Sequence, residues 1–285
     1  LALRKKNDSE TSAPHQLTLT ATPIPRTLSM SVYANMDVSV IDELPPGRKP
    51  IQTSCLPLSG KDKLIERMLA ATKQGSKIYW ICPLIEESEN LDLNAVMETY
   101  EDLSEHFSQD KVGCLHGKLS ANKKQEQIQA FKDSKTSILV STTVVEVGVD
   151  IPDADIMVIE NAERFGLAQL HQLRGRIGRG TKESYCILLH KDKIQDVSSQ
   201  RLQVLVDSQD GFKIAEEDLV IRGPGEIMGA QQTGIVPMKY TNLVRDSQYL
   251  METKKVAELI CNEEPELANQ LIERWISGSI AFADA

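Results

Sequence analysis

The segment QLRGRIGR, residues 172–179, has the clearest chemical potential in the sequence. It places Arg174, Arg176 and Arg179 within six residues, with glycines between them. A guanidinium group is always charged and can bind two phosphate oxygens at once, and glycines let the chain approach a ligand closely. A surface helix explains the segment poorly, because each glycine inside a helix costs about 1 kcal/mol relative to alanine. The segment therefore predicts contact with a polyphosphate; a surface arginine ladder and a general RNA-binding patch are the alternatives.

Two other segments carry hydroxyl groups where an apolar run ends. In SILVSTTVVEVGVDIP, residues 137–152, a predicted buried strand ends near Thr142, and Gly148 and Asp150 follow. A hydroxyl at that position can bind phosphate, and an aspartate that follows a glycine can reach a ribose hydroxyl. In TATPIPRT, residues 20–27, two threonines precede a turn that is fixed by prolines. Each segment alone also fits an ordinary strand end or helix start. The two segments therefore indicate a nucleotide site only in combination with the arginine segment.

The elements that position these residues follow from an alternation of apolar runs and helical spacing. Apolar runs that predict strands occupy residues 51–56, 78–82, 112–115, 137–141, 155–159 and 185–189. Helical spacing falls between them at residues 61–73, 93–107 and 120–132, with Ser120 predicted as an N-cap. Strands that are apolar on both faces and alternate with helices predict an α/β fold, a parallel sheet with helices on both faces. Ligands bind at the carboxyl ends of such strands, so we expect the site at that edge.

The chain divides into three predicted parts. Residues 1–50 contain one strand, one helix and a linker rich in proline and glycine, which is too little for a core. We therefore expect them to be the end of a larger preceding domain. Residues 51–195 hold the sheet, and residues 196–285 are mainly helical. The last part has predicted helices at 196–208, 215–221, 246–261 and 265–276, with breaks at RGPGE, residues 222–226, and QQTGIVP, residues 231–237.

Taken alone, the net charge of −9 and the pI of 5.2 argue against a nucleic-acid partner. Residues 78–110 hold nine acidic residues and no Lys or Arg, so this one stretch accounts for the whole excess and predicts a solvated helix face. Two basic islands stand in the neutral remainder. Residues 111–135 have six lysines against two acidic groups, and residues 163–182 have five basic groups against one. Because the second island contains the arginine segment, the overall charge does not exclude nucleic acid.

The length of 285 residues favours two domains. The five cysteines are scattered without a CxxC pair or a histidine at metal-ligand spacing, and no run approaches the roughly 20 apolar residues of a membrane span. This pattern predicts reduced thiols in a cytoplasmic protein, with no metal site and no membrane contact.

Three of the segments, TATP, STTVVEVGVD and QLRGRIGR, resemble in this order the later helicase motifs of superfamily 2 nucleic-acid motor proteins. IYWICPLIEE and CLHGKLS fall where that superfamily has secondary motifs. Longer stretches, among them VIDELPPGRKPI and RLQVLVDSQDGFKIAEEDLVIRGPGEIMGAQQTG, resemble the RecG-type DNA translocases. Members of that family use ATP to regress stalled replication forks and to move other branched DNA. The resemblance implies a RecA-like second helicase lobe, ATP with Mg²⁺ as cofactors, and branched double-stranded DNA such as forks and Holliday junctions as partner.

The resemblance also implies roles for individual residues. Arg176 and Arg179 match the arginine fingers that stabilise charge on the transferred phosphoryl group, and Gln172 would help to place them. Other residues match contacts with ATP (Gly148, Asp150), contacts with DNA (Thr142, Gly117, Lys118) and the coupling of hydrolysis to translocation (Thr20, Thr22, Arg201, Arg222, Gln232). Within the coupling segment, Gly223-Pro224-Gly225 is expected to form a rigid bend.

One element of the family is absent from the sequence. No GxxxxGK[ST] loop occurs in the 285 residues, and Ser59-Gly60-Lys61-Asp62 lacks the first glycine and the final hydroxyl residue. Asp42-Glu43 could be mistaken for a magnesium-binding pair, but the Pro45-Pro46-Gly47 that follows suits a linker better, and the resemblance places this linker between the two helicase lobes.

With these departures, the resemblance predicts a C-terminal fragment without the first helicase lobe and the fork-binding wedge domain, which does not hydrolyse ATP alone. One alternative is a fragment of the transcription-repair coupling translocase Mfd, although VIDELPPGR and LIERW favour the RecG type. The other alternative is a non-catalytic nucleotide- or DNA-binding module that is complete as it stands.

Overall fold

In the computed structural model the described residues are 39–41, 43, 49–83, 89–142, 154–178, 180, 182–227, 246 and 249–276, together with Leu17 and Leu19. Residues 40–214 form one compact unit. Residues 1–39 and 215–285 belong to a second one.

The unit of residues 40–214 is built on six parallel strands. They are β1 (Ile51–Pro57), β2 (Ile78–Cys82), β3 (Val112–Leu115), β4 (Ile138–Thr142), β5 (Ile156–Ile159) and β6 (Ser184–His190). Their order across the sheet is β1-β6-β5-β2-β4-β3, and every neighbouring pair is parallel. Each strand begins and ends within one residue of its predicted limits, because short apolar runs between polar turns leave little choice of register.

The α-helices of the described residues lie between and after the strands. They are α1 (Lys61–Lys73), α2 (Glu89–Phe107), α3 (Ala121–Lys132), α4 (Leu167–Arg174), α5 (Asp196–Asp207), α6 (Gly211–Ile227), α7 (Leu250–Glu263) and α8 (Pro265–Ile276). Ser120 caps α3 as predicted, because its hydroxyl accepts a hydrogen bond from the N–H of Lys123 at 3.4 Å.

Helices cover both faces of the sheet, because successive strand residues point to opposite faces. On one face the core contains Phe131 of α3, Leu170 of α4 and Leu205 of α5. On the other face it contains Leu64 of α1 and Leu103 of α2. The predicted fold class, a parallel α/β sheet with helices on both faces, is confirmed.

Helix α5 and the start of α6 belong to the same compact unit as the sheet. Leu202, Leu205 and Ile214 are buried in the core on the face that α3 covers. These three residues lie within residues 196–285, which the sequence analysis predicts to be a part separate from the sheet. The division into 1–50, 51–195 and 196–285 stays a prediction, and the structure adds that α5 packs on the sheet.

Helix α6 is longer than predicted at both ends. It begins at Gly211, where Oδ1 of Asp210 accepts a hydrogen bond from the N–H of Phe212 at 2.8 Å and so caps the helix. It ends at Ile227, so the predicted break at residues 222–226 is wrong and the expected bend lies within a helix. Pro224 removes a single backbone donor, at a cost of about 3 kcal/mol, and the helix continues on both sides of it.

In the second unit, α7 and α8 pack against each other. They meet at Glu264, whose N–H donates a hydrogen bond to the carbonyl of Ile260 at 2.9 Å. No helix in the part of the chain that the structure describes has the length and apolar character needed to cross a membrane.

Candidate nucleotide and DNA contact sites

Helix α4 carries the arginine segment back to the amino edge of the sheet, where the strands begin. Just after α4, Gly178 lies against the first residues of two strands: a Cβ added to it would be 2.9 Å from Cγ1 of Ile51 and 3.6 Å from Oγ of Ser184. Gly178 also has a φ of +73°, which a residue with a side chain rarely adopts. The expectation that ligands bind at the carboxyl edge therefore does not fit the end of α4 and the turn after it, because a crossover helix must return the chain to the edge where the next parallel strand begins.

Arg174, the first arginine of the segment, points into the protein. Its side chain is 3% exposed, and Nη1 donates hydrogen bonds to the carbonyls of Leu205 at 2.7 Å and Ser208 at 2.9 Å. Nη1 is also 3.4 Å from Oγ1 of Thr53. Both carbonyls lie at the C-terminal end of α5, where the helix dipole favours a cation. Arg174 therefore ties α4 to α5, and the interpretation of all three arginines as phosphate contacts does not hold for it.

The described residues with predicted catalytic roles, Gln172 and Arg176, are more exposed to solvent than Arg174. Gln172 is exposed on α4, on the side away from the buried leucines of that helix. Arg176 is half-buried in the turn after α4, where its N–H donates a hydrogen bond to the carbonyl of Leu173 at 2.9 Å. Arg179 lies outside the described residues. Arg176 and Gln172 thus come from one short segment at the amino edge, and their catalytic roles stay predictions.

Thr142 lies at the carboxyl edge, as the last residue of β4 and beside Cys82 of β2. It is 3% exposed, and its Oγ1 has no hydrogen-bond partner among the described residues. Its hydroxyl lies at the carboxyl end of a parallel strand, where α/β sheets bind their ligands. Gly148 and Asp150, the predicted ATP contacts, lie outside the described residues.

The turn His116-Gly117-Lys118 follows β3 at the same carboxyl edge. Gly117 and Lys118 are exposed, and Nζ of Lys124 donates a hydrogen bond to the carbonyl of Gly117 at 3.0 Å. Partial burial lowers the pKa of His116, and the charges of Lys124 and Lys118 lower it further. The turn is therefore held by one lysine of α3 and presents another to solvent, which suits contact with a phosphate backbone.

The basic island of residues 111–135 is split between the two edges of the sheet. Its members at the carboxyl edge follow β3 or begin α3 (Lys118, Lys123, Lys124). The others lie at the amino edge, just before β3 (Lys111), at the end of α3 (Lys132) and shortly after α3 (Lys135). Only three of the six lysines therefore lie at the same edge as the predicted DNA contacts. The number of charges in a stretch of sequence does not show this division.

Among the residues with a predicted coupling role, the structure describes the side chain of Arg201 alone. Arg201 is half-buried on α5, and its Nε has no hydrogen-bond partner in the described part of the chain. Arg222 lies within α6. Thr20, Thr22 and Gln232 lie outside the described residues, so their roles stay predictions.

A cluster of charged and polar side chains at the carboxyl edge was not foreseen from the sequence. Nζ of Lys61, the first residue of α1, lies 3.0 Å from Oε1 of Glu160 and 2.8 Å from Oδ2 of Asp102. Glu160 is 8% exposed, and its Oε2 accepts hydrogen bonds from Nε1 of Trp80 at 3.3 Å and Oγ1 of Thr99 at 3.0 Å. Burial disfavours the charge of Lys61, but the ion pair with Glu160 and then the contact with Asp102 outweigh it and raise the pKa of the ammonium group. Lys61 therefore neutralises carboxylates, which agrees with its rejection as a phosphate-loop lysine.

A cavity of about 310 Å³ lies beside this cluster, at the carboxyl ends of β2 and β5. The connections of the sheet run in opposite directions from these two strands, and ligands of parallel α/β sheets bind at such a point. The charged side chains of its lining include both signs (Lys61, Glu98, Asp102, Glu160, Arg164). Because the acidic groups outnumber the basic ones, the cavity does not favour a phosphate.

The cysteines are all free. Burial raises the pKa of the Cys55 and Cys114 thiols to about 11 and that of Cys186 to about 12, and it also raises the pKa of Cys82. These four thiols are protonated and unreactive at neutral pH, whereas Cys261 is exposed. Within the described residues, no group of three His, Cys, Asp or Glu side chains could hold a metal ion.

Replacement of Arg174 by methionine is expected to lower the free energy of unfolding by about 3 kcal/mol. The substitution keeps the length of the side chain but leaves the buried carbonyls of Leu205 and Ser208 without a donor. Urea unfolding followed by circular dichroism measures the change. Arg164→Met, at an exposed position before α4, is the matched control and should change the free energy by less than about 0.5 kcal/mol. Equal losses in the two variants would contradict the role given to Arg174.

Two family models match the chain. The model of the helicase conserved C-terminal domain matches residues 60–181, a range that contains α1 to α4 and the arginine segment. The model named ATP-dependent DNA helicase RecG, domain 3, C-terminal, matches residues 208–274, from the end of α5 into α8.

Curated relatives and solved structures agree with these matches. The ATP-dependent DNA helicase RecG of Pasteurella multocida (strain Pm70) is 49% identical over 97% of this chain, and that of Escherichia coli (strain K12) is 48% identical over 100% of it. The chain spans about 40% of the length of these relatives. A solved structure of RecG bound to a three-way DNA junction is 44% identical and superimposes with a TM-score of 0.62, covering 81% of this chain and 30% of that one.

Proposed function

Because the chain belongs to the RecG family of DNA helicases, we propose that it forms the second RecA-like lobe and the translocation segment of an ATP-dependent DNA translocase. The activity is that of a longer protein, called the full-length protein below, in which a first helicase lobe and a wedge domain precede this chain. Its substrates are stalled replication forks, which it regresses, and recombination intermediates, which it branch-migrates. The five free cysteines support a cytoplasmic location.

The observation that carries this proposal is the separation of the predicted contacts between two edges of one sheet. Thr142, Gly117 and Lys118 lie at the carboxyl edge, and Arg176 lies at the amino edge. A lobe arranged in this way holds DNA at one edge while the other edge meets the nucleotide of the first lobe. A change at the nucleotide then moves the lobe as a body and displaces the DNA that it holds.

Arg176, which lies at the amino edge, brings positive charge next to the phosphoryl group that is transferred from ATP, and Gln172 orients it. Arg179 is proposed to share this role with Arg176. Gly148 and Asp150 contact the ribose. Mg²⁺ neutralises phosphate oxygens when ATP is bound. The described residues contain no group of three His, Cys, Asp or Glu side chains that could hold it.

At the carboxyl edge, the exposed turn at Gly117 and Lys118 contacts the DNA backbone, and Lys123 adds charge beside it. Thr142 contributes its hydroxyl to a phosphate. Such contacts position a duplex without reading its sequence, which suits a motor that acts on the shape of branched DNA. ATP hydrolysis is coupled to movement of the bound DNA by the residues with a predicted coupling role (Thr20, Thr22, Arg201, Arg222, Gln232).

A RecG-type translocase is preferred to the Mfd-type alternative because of one specific match. Residues 208–274 fit the model named for domain 3 of the ATP-dependent DNA helicase RecG. The binding-module alternative has no comparable support, because relatives that match the whole chain carry the words ATP-dependent DNA helicase in their names.

The proposal is tested by following strand separation of a three-way DNA junction by the full-length protein. Separation is expected with ATP and not with a non-hydrolysable ATP analogue. The 285-residue chain alone, shown to be folded by a cooperative thermal transition, is expected to have no DNA-stimulated ATP hydrolysis. Separation without hydrolysis, or hydrolysis by the chain alone, would contradict the proposal.

A further inference from the structure

Ile51, the first residue of β1, directly follows the predicted linker between the lobes. β1 is the outermost of the six described strands, with β6 on its inner side. On its outer side, Ile51 is bound by the side-chain amide of Gln209. The N–H of Ile51 donates a hydrogen bond to Oε1 of Gln209 at 3.3 Å, and Nε2 of Gln209 donates one to the carbonyl of Ile51 at 3.1 Å.

This pair of hydrogen bonds copies what a neighbouring strand would make at one residue. A parallel strand residue presents its N–H and C=O to the same side, and a carboxamide offers an acceptor and a donor in one plane that can meet both. Gln209 is 158 positions away from Ile51 in the sequence, so the contact joins two distant parts of the chain. It is therefore a specific connection and not an incidental feature of a local turn.

Two further contacts bring the arginine segment to the same place. Gly178, two residues after Arg176, approaches the Ile51 side chain so closely that a Cβ on it would be 2.9 Å from Cγ1. Arg174 donates a hydrogen bond to the carbonyl of Ser208, the neighbour of Gln209. The end of the linker, the arginine segment and the start of the region matched by the RecG domain 3 model thus meet around Ile51.

We propose that Gln209 is a positioning residue of the translocase, which holds the end of the inter-lobe linker in register with the arginine segment and with the start of the helical segment. The inference rests on the proposed function. When the lobes move, the linker transmits their displacement to Ile51, and Gln209 passes it to the junction between α5 and α6. Without Gln209 the start of β1 can shift independently of that junction. Fewer base pairs are then opened for each ATP that is hydrolysed.

The test is the number of base pairs opened in a three-way junction per ATP hydrolysed by the full-length protein. Gln209→Met keeps the side-chain length and removes both hydrogen bonds, and it is expected to lower this ratio about fivefold. The KM for ATP and the thermal transition should stay close to those of the unsubstituted protein.

Gln203→Met is the matched control, because Gln203 is an exposed glutamine of α5 whose Nε2 donates a hydrogen bond to Oδ1 of Asp207 at 2.8 Å. It should leave the ratio unchanged. An unchanged ratio in Gln209→Met, or an equal fall of the ratio in Gln203→Met, would overturn the inference. It would also be overturned if the ratio of Gln209→Met fell only because the variant unfolds at a lower temperature. Absence of DNA-dependent hydrolysis in the unsubstituted protein would instead overturn the proposed function, and this inference with it.

Discussion

Replacement of Arg176 by alanine in the full-length protein is expected to lower kcat for DNA-dependent ATP hydrolysis by about 10³-fold, with only a modest loss of ATP binding. An arginine that meets the transferred phosphoryl group stabilises charge that develops in the transition state and is small in the ground state. Its removal therefore lowers kcat more than it raises the KM. Arg176→Lys should recover little of the loss, because a lysine cannot reproduce the planar, bidentate grip of a guanidinium group.

A comparison of Arg176 with Arg174 distinguishes a loss of catalysis from a loss of folding stability. Arg176 is half-buried and Arg174 is 3% exposed, although only one residue lies between them. We expect Arg176→Ala to change the free energy of unfolding by less than about 1 kcal/mol, in contrast to Arg174→Met. Lys182→Ala removes a 65% exposed cation of the same basic island and should leave kcat unchanged. A large loss of stability in Arg176→Ala, or a wild-type kcat, would contradict the arginine-finger role.

Replacement of Lys61 by methionine is expected to lower the free energy of unfolding by about 3–5 kcal/mol. The variant leaves Glu160, which is 8% exposed, as a buried charge without its cation. Asp102 also loses its partner, but it is 40% exposed and water can replace the contact. Chemical denaturation of the full-length protein or of this chain measures the loss.

Two further variants show whether the buried charge is the cause. Lys63→Met changes an exposed lysine of the same helix and should cost less than about 0.5 kcal/mol. The double variant Lys61→Met/Glu160→Gln should regain part of the loss, because a neutral amide oxygen can still accept the hydrogen bonds from Trp80 and Thr99. No regain in the double variant would mean that Lys61 stabilises the fold through something other than its charge.

The fold could be predicted from the sequence because its signals are local. The run IYWIC and the other apolar runs define strands of a parallel sheet, and Ser120 and the spacing after it define the start and the face of α3. The course of α6 could not be predicted in the same way. Pro224 is a strong local signal for a break, and the helix nevertheless continues through it.

The candidate sites were predictable only in part, because burial and edge depend on contacts between distant residues. The sequence shows Arg174 and Arg176 as equals, and only the packing of α4 on α5 turns the first inward. Lys61 and Glu160 are 99 positions apart, and no spacing rule connects them. The placement of the arginine segment at the amino edge was available in principle, since the helix after β5 has to lead back to the start of β6.

The most direct test of the two-edge arrangement is a DNA titration of ATP hydrolysis by the full-length protein, with three-way junction DNA as the variable. Arg176→Ala should lower the maximal rate and leave the half-saturating DNA concentration unchanged. Lys118→Ala should raise the half-saturating concentration by roughly three- to tenfold at fixed salt and leave the maximal rate intact. If Arg176→Ala changed DNA affinity alone, or if Lys118→Ala changed the maximal rate alone, the assignment of nucleotide to the amino edge and DNA to the carboxyl edge would be wrong.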